Sequence, residues 1–120
     1  KHYRMDIEIP VRIVERLIDA DGNEAEEIDF VGKIINISRG GFYFHSSEHI
    51  NPSSIIRVVI DLSSIDRALA EIEALAMVVR SEKLDGKGFG IGVMFSSIYD
   101  ENKKNLDVFI FKNVAYHLSR

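Results

Sequence analysis

Cysteine is absent from this chain, which excludes disulfide bonds, thiolate metal sites and a cysteine nucleophile. A chain without cysteine also fits a reducing compartment. No apolar run approaches the roughly 20 residues that a membrane-spanning helix needs, and the sequence does not open with the pattern of a signal peptide. These absences predict a cytoplasmic protein with no membrane insertion.

An excess of positive charge is also missing, because 15 Lys and Arg residues stand against 19 Asp and Glu, for a formal net charge of −4. A general DNA- or RNA-binding surface is strongly basic, so the sequence argues against nucleic acid as a partner. A small anionic ligand needs only a local cluster of cations, for which Lys1, Arg4 and Arg39 are the candidates.

The 120 residues are ordinary in number and composition for one globular domain, with 46% hydrophobic and 28% charged residues. Alternation of apolar and polar side chains is typical of half-buried strands, and it predicts strands near residues 7–13, 56–62 and 88–95. Further strands are predicted near residues 28–38 and 42–45. The Asp-Gly pair within residues 19–23 is a favoured hairpin turn.

The stretch from residue 65 to residue 79 carries conflicting signals. Residues 67–76 have high helix propensity, whereas residues 77–79 are typical of a strand. Tertiary packing often overrides propensity in such a case. We expect a strand that ends near Arg80, preceded by a short helical turn.

A helix is predicted from Asp100 onwards. Apolar residues recur there at helical spacing, namely Leu106, Phe109, Ile110, Val114 and Leu118. About six strands joined by short turns and followed by one helix predict an all-β fold with a C-terminal helix, a small six-stranded antiparallel β-barrel. We expect residues 1–120 to form this single domain, with the helix closing one opening of the barrel or packing on its side.

The segment Asn36–Gly41, between two predicted strands, is the most informative for function. Successive glycines allow positive φ angles and a close approach of a ligand to the backbone, and turn amides can form an anion-binding concavity. Asn36 offers a donor and an acceptor, Ser38 offers a hydroxyl, and Arg39 adds a cation. The same residues also suit a plain turn closed by side-chain bonds to the backbone, and without further context that plainer interpretation is favoured.

The whole chain resembles the PilZ domain family in the order of its motifs. Asn36–Gly41 matches the family's (Asp/Asn)-x-Ser-x-x-Gly motif, with Asn36, Ser38 and Gly41 at the defining positions. Arg4 and the strand after it resemble the end of the family's Arg-x-x-x-Arg motif, and residues 77–80 and 90–95 resemble its last strands. The resemblance implies a PilZ-like barrel that binds the bacterial second messenger cyclic di-GMP, with no enzymatic activity and no cofactor.

The resemblance also implies a ligand site made of six residues: Arg4, Asn36, Ser38, Arg39, Gly41 and Arg80. Arginine pairs bidentately with guanine or phosphate. The Asn36 amide can bond a guanine edge, and Gly41 leaves room for the ligand ring. For Arg80, a solvated arginine at a strand end is an equal alternative.

The family's arginine motif also bears on what precedes the chain. If Arg4 is the second arginine of the motif, the first falls one position before Lys1. Lys1 is a poor substitute for that arginine, because an ammonium group is neither planar nor bidentate. We expect the chain to be the C-terminal module of a longer protein, with a mobile N-terminal arm whose Arg4 closes over the ligand. The signal would pass to an effector in flagellar, pilus or polysaccharide-synthesis machinery, and a homodimer is left open.

Two alternative functions compete with this interpretation. The first is a PilZ-like adaptor that contacts proteins without binding nucleotide, which the absent first arginine supports. The second is a barrel that binds single-stranded nucleic acid through stacking aromatic side chains. The contiguous Phe, Tyr and Phe at residues 42–44 favour it, but the negative net charge of the chain disfavours it.

An enzyme or a metal centre is poorly supported. Ser38, His45 and Asp61 can be drawn as a triad, yet the Gly-x-Ser-x-Gly pattern of a nucleophile elbow does not occur. His45 and His49 are close in sequence, but no third metal ligand stands beside them. We therefore expect a binding domain without metal.

Overall fold

The computed structural model describes residues 8–18, 26–64, 67, 69, 71–98, 103–104 and 106–110. These residues form six strands: β1 (Ile9–Ile18), β2 (Glu26–Ile37), β3 (Gly41–Ser46), β4 (Ile55–Ile60), β5 (Ile72–Lys83) and β6 (Phe89–Ile98). The strands close into an antiparallel barrel in the order β1-β2-β3-β6-β5-β4. A 3₁₀ turn, Leu62–Ser64, follows β4, and residues 103–104 and 106–110 are helical. The six-stranded barrel with a C-terminal helix predicted from the sequence is confirmed.

The barrel interior is filled by the apolar residues that alternate along the strands, each at most 8% exposed. Burying one such side chain stabilises the fold by about 1.5–3 kcal/mol, so the alternation decides which face of every strand points inward. The interior strand residues are Ile9, Val11, Ile13, Ile34, Ile37, Phe42, Phe44, Ile56, Val58, Ile60, Ile72, Ala74, Ala76, Val78, Ile91 and Val93.

β5 resolves the conflicting signals of the segment before Arg80. The strand begins at Ile72, inside the stretch of high helix propensity, because alternate residues from Ile72 to Val78 are needed in the barrel core. A 3₁₀ turn occurs at Leu62–Ser64, before the stretch in which the sequence predicts a short helical turn; residues 65, 66, 68 and 70 of that stretch lie outside the described residues. The expected end near Arg80 is wrong by three residues, since β5 continues to Lys83 while it pairs with β6.

Other boundaries differ from the prediction by a few residues. β1 runs on to Ile18 through an irregularity between Ile13 and Glu15, and β4 ends at Ile60, so that Leu62 opens the 3₁₀ turn instead of ending the strand. The predicted hairpin turn at residues 19–23 lies outside the described residues.

The C-terminal helix contributes to the same core as the strands. Leu106 is 2% exposed and Phe109 is fully buried, whereas Val108 between them is 42% exposed. The amphipathic face is thus confirmed for Leu106 and Phe109, while Val114 and Leu118 lie outside the described residues. In the part of the chain that the structure describes, no helix is long and apolar enough to cross a membrane.

Candidate functional site

The turn between β2 and β3 is closed by Ser38. Its backbone amide donates to the Gly41 carbonyl at 2.9 Å, and its hydroxyl accepts from the Gly40 amide at 3.2 Å. The same hydroxyl lies 3.4 Å from the Gly41 carbonyl oxygen, to which it donates. The plainer interpretation of this segment is therefore realised: Ser38 holds the turn together, and a ligand would find its hydroxyl already engaged.

The two glycines of the turn do not have the conformation expected of them. Among the described residues the glycines with positive φ are Gly86 and Gly88, so positive φ at Gly40 or Gly41 is wrong. Gly41 instead lets two strands approach, because a Cβ there would overlap the Val93 carbonyl oxygen and stand 3.0 Å from the Met94 Cα. The barrel itself requires a glycine at position 41.

Asn36 and Arg80 lie in one cross-strand row on the outer face of the barrel. Asn36 on β2 pairs with Tyr43 on β3, Tyr43 pairs with Gly92 on β6, and Gly92 pairs with Arg80 on β5. Tyr43 points outward because Phe42 on its N-terminal side points into the core. We call Asn36, Tyr43, Gly92 and Arg80 the outer row.

Two irregularities in strand pairing, one in β2 and one in β5, place Asn36 and Arg80 in the same cross-strand row. The register shifts between Ile34 and Asn36 on β2, and again between Val78 and Arg80 on β5. A β-bulge inserts one extra residue and so changes which side chain emerges on a given face. Without the second shift, Val79 would occupy the position opposite Gly92 that Arg80 holds.

The Tyr43 ring forms the centre of the outer row. It lies over Gly90, where a Cβ would overlap the Tyr43 hydroxyl, so the glycine on β6 provides the space for the ring. The guanidinium carbon of Arg80 is 5.4 Å from the ring centroid, within the range of a cation–π interaction. The Tyr43 hydroxyl donates to Glu82 Oε1 at 3.1 Å. These contacts hold Tyr43 and Arg80 in a fixed mutual position.

Arg39 is paired with the C-terminal helix. Its Nε is 2.9 Å from Asp107 Oδ1 on the C-terminal helix, and both side chains are largely exposed. The remaining predicted cation, Arg4, lies outside the described residues, as does Lys1. The structure thus brings Asn36 and Arg80 together through Tyr43, keeps Ser38 and Gly41 in the adjoining turn, and pairs Arg39 with the helix.

A sequence profile of the PilZ domain matches residues 1–112, nearly the whole chain. The chain belongs to the PilZ domain family. The segment Asn36–Gly41, which resembles the PilZ motif, lies within the matched residues. Among curated proteins, none matches the sequence.

Two solved structures are similar to this PilZ domain. The Bacillus subtilis inhibitor of motility, MotI/DgrA, has 19% sequence identity and a TM-score of 0.70 over 93% of this chain and 50% of that chain, so the present chain spans half of that protein. The PilZ domain of CeSA from a cellulose-synthesizing bacterium has 19% identity and a TM-score of 0.57 over 92% of this chain and 97% of that chain. At this level of identity the likeness establishes the fold.

The sequence interpretation did not include Tyr43, Glu82 and Gly92 in the candidate site. A signal for Tyr43 was available, since a polar aromatic between two phenylalanines in a strand points outward by period-two alternation. Gly90 and Gly92 alternate with Ile91 and Val93 in the same way, which marks an open patch on β6. The bulges that align the row have no comparable signature in the sequence.

No metal site is apparent in the described ranges, where no three histidine and acidic side chains come close enough to hold an ion. His49 illustrates this, because its Nε2 lies 2.9 Å from Asn51 Oδ1 and its Nδ1 lies 3.0 Å from Ser81 Oγ. Both ring nitrogens of His49 are thus engaged with neighbouring side chains.

The Tyr43 phenol should titrate later than an ordinary tyrosine. Its pKa is raised by burial first, and then by the hydrogen bond and the negative charge of Glu82, while Arg80 opposes the rise. The folded protein therefore holds this proton more tightly than the unfolded chain. The stabilising contribution is complete below the ordinary tyrosine pKa and is lost as the pH rises through the raised value.

An alkaline absorbance titration tests this expectation. The chain has four tyrosines, and Tyr43→Phe should remove a phenol that ionises above the ordinary tyrosine pKa. Glu82→Gln should bring the Tyr43 pKa back towards its ordinary value, since it removes a negative charge beside the phenol. A Glu82→Gln titration curve identical to that of the unaltered chain would contradict the hydrogen bond between Tyr43 and Glu82.

Proposed function

We propose that this PilZ domain is a cytoplasmic, non-enzymatic receptor for cyclic di-GMP that transmits the bound state to a partner protein or domain. The outer row carries the proposal: Asn36 and Arg80, two residues suited to guanine, are aligned across Tyr43 beside the PilZ motif. β-Bulges are over-represented next to functional sites. Here two of them turn these side chains onto one face.

The chemistry of the outer row suits a guanine base. A guanidinium donates two parallel hydrogen bonds to the O6 and N7 edge of guanine, and its flat face can stack on the ring. The Tyr43 ring centroid lies 5.4 Å from the Arg80 guanidinium carbon, a contact that favours one position of the side chain and so reduces the side-chain entropy lost on binding. The Asn36 amide is half-buried and offers both donors and an acceptor to a base edge.

The anionic part of the ligand requires cations nearby, because the net charge of the chain is −4 and opposes the approach of an anion. Arg39 follows Ser38 in the turn, and Arg4 lies on the N-terminal segment. We propose that Arg4 closes over the ligand seated on the turn, as the PilZ arginine motif implies. Ordering an arm by charge-assisted contacts is a recognised type of switch.

Calorimetric titration with cyclic di-GMP tests the proposal, preferably on a chain extended upstream to include the residue before Lys1. Arg80→Ala should weaken binding by about 10-fold to 150-fold, the value of a hydrogen-bonded charge. Asn36→Ala should weaken it by about 5-fold, since a neutral hydrogen bond is worth about 1 kcal/mol.

Arg12→Ala is the matched control for Arg80→Ala. Arg12 is also an exposed strand arginine, but it is on β1 and pairs with Asp29 at 2.9 Å. The two variants remove the same charge from different places. Equal affinities in Arg80→Ala, Arg12→Ala and the unaltered chain would remove the outer row from the site.

A second candidate function is an adaptor that binds a protein partner without nucleotide. The observation that favours it is the engagement of two predicted ligand groups within the domain: the Ser38 hydroxyl is bonded inside its turn, and Arg39 is paired with Asp107. Absence of any heat of binding with cyclic di-GMP, in the extended chain as well, would establish this alternative over the receptor.

The output partner is proposed by analogy with the similar structures. MotI/DgrA is an inhibitor of motility, and the CeSA PilZ domain comes from a cellulose-synthesizing bacterium. We propose that the effector of this domain belongs to motility machinery, flagellar or pilus, or to polysaccharide synthesis.

A further inference from the structure

A groove of about 620 Å³ separates the PilZ motif turn from the C-terminal helix. Arg39 and Gly40 line it on the side of the turn, residues 95–98 at the end of β6 line its floor, and Lys103, Leu106 and Asp107 line it from the helix. The groove therefore adjoins the proposed ligand site, and it is the place where the turn and the helix face each other.

Among the described residues that line this groove, the charged ones are two cations and one carboxylate. Arg39 Nε is 2.9 Å from Asp107 Oδ1, with 77% and 49% of the two side chains exposed. Lys103 also lines the groove, one helical turn before Asp107, and it has no ion-pair partner within the described ranges. The described lining of the groove thus carries a net positive charge, and the carboxylate in it is paired with Arg39.

The donor groups in this groove suit a phosphate group. Guanidinium and ammonium groups together with serine hydroxyls are the donors that phosphate oxygens accept from. Asp107 repels an anion as long as it stays beside Arg39. A phosphate can therefore use the full charge of Arg39 only by taking the place of Asp107.

We propose that this groove is a phosphate site in which Arg39 exchanges Asp107 for a phosphodiester of the bound nucleotide, with Lys103 as the second cation. The identity of the ligand rests on the proposed function. The replacement of Asp107 at Arg39 requires only that an anion occupies the groove. Occupancy removes the ion pair between the turn and the helix. Ligand binding and helix docking are then thermodynamically opposed, and each weakens the other by the same factor.

The expected size of the effect follows from the exposure of the ion pair. Exposed pairs of this kind change an equilibrium by about 1.5-fold to 5-fold. Asp107→Asn should tighten cyclic di-GMP binding by about that factor, because the competitor for Arg39 is gone. Lys103→Gln should weaken binding by a similar factor. Amide hydrogen exchange at residues 106–110 should speed up by about the same factor when cyclic di-GMP is added, since the pair no longer holds the helix.

Asp29→Asn is the matched control for Asp107→Asn. Asp29 is an exposed carboxylate paired with an arginine at the same 2.9 Å, but on β2 and outside the groove. Both substitutions change the net charge equally, so a purely long-range effect would appear in both. In Arg39→Gln, added cyclic di-GMP should no longer change exchange in the helix.

The outcomes separate this inference from the proposed function. If cyclic di-GMP binds the unaltered chain with the same affinity as Asp107→Asn, and exchange in the helix does not change, the groove is not a phosphate site although the receptor function stands. If cyclic di-GMP does not bind at all, inorganic phosphate becomes the probe. Arg39-dependent acceleration of helix exchange by inorganic phosphate would then support the anion site, and its absence would overturn it.

Discussion

Gly41→Ala is expected to lower the free energy of unfolding by about 3 kcal/mol, at the upper end of the usual cost of overpacking. A methyl group at this position would overlap the Val93 carbonyl oxygen and stand 3.0 Å from the Met94 Cα. These are backbone atoms of β6, so the overlap is relieved only by separating β3 from β6. Thermal unfolding should show a midpoint lower by about 10 °C.

Gly40→Ala provides the control from the neighbouring position. The nearest atom to a Cβ there is Ser38 Oγ at 3.9 Å, an ordinary contact, and Gly40 does not have a positive φ. Its midpoint should change by no more than about 2 °C. Equal midpoints for the two variants would show that the β3–β6 contact tolerates a side chain. If the prediction holds, loss of ligand binding in Gly41 variants reports damage to the barrel and not a lost ligand contact.

Phe109→Ala should destabilise the domain by about 3–5 kcal/mol, the usual cost of removing a fully buried aromatic side chain. Phe109 is 0% exposed and belongs to the core cluster of the barrel, although it lies on the C-terminal helix. The loss should appear in denaturant unfolding as a lower midpoint with an unchanged slope.

Val108→Ala is the adjacent control, because Val108 is 42% exposed and should change stability by no more than about 0.5 kcal/mol. A similar small loss in Phe109→Ala would mean that the helix is dispensable to the core.

The predicted cost of removing Phe109 also limits how far ligand binding can displace the helix. An exposed ion pair worth at most about 1 kcal/mol cannot expel a helix held by a buried phenylalanine, so the exchange at Arg39 should change how often the helix end opens and leave it docked on average.

The fold was largely predictable because hydrophobic alternation determines it. Strands such as β1, with Ile9, Val11 and Ile13 on one face, bury those residues as the pattern requires. β5 shows where local propensity fails: its residues favour helix in isolation, but the barrel needs the inward-facing Ala74 and Ala76 in extended form.

The candidate site was predictable only in part. The motif located the turn and implied that Gly41 leaves room for a ligand. The structure explains this glycine by the close approach of β3 and β6. Tyr43 stands between two phenylalanines in the sequence, so its composition alone does not distinguish it from them. The alignment of Asn36 with Arg80 depends on two register shifts, which arise from how whole strands pair and therefore cannot be derived from local sequence.

Closure of the barrel has a consequence for how this domain can recognise a partner. Each of the six described strands has a paired neighbour on both sides, and wherever two strands pair, their backbone groups are taken and an incoming peptide cannot extend the sheet. The exception is where a long strand runs past its partner, as β2 does before Lys33, the first residue of its register with β3. Over the paired part of the barrel, recognition is carried by side chains. Surface substitutions there can redirect the domain from one effector to another without altering an interstrand bond, so its specificity can evolve independently of its stability.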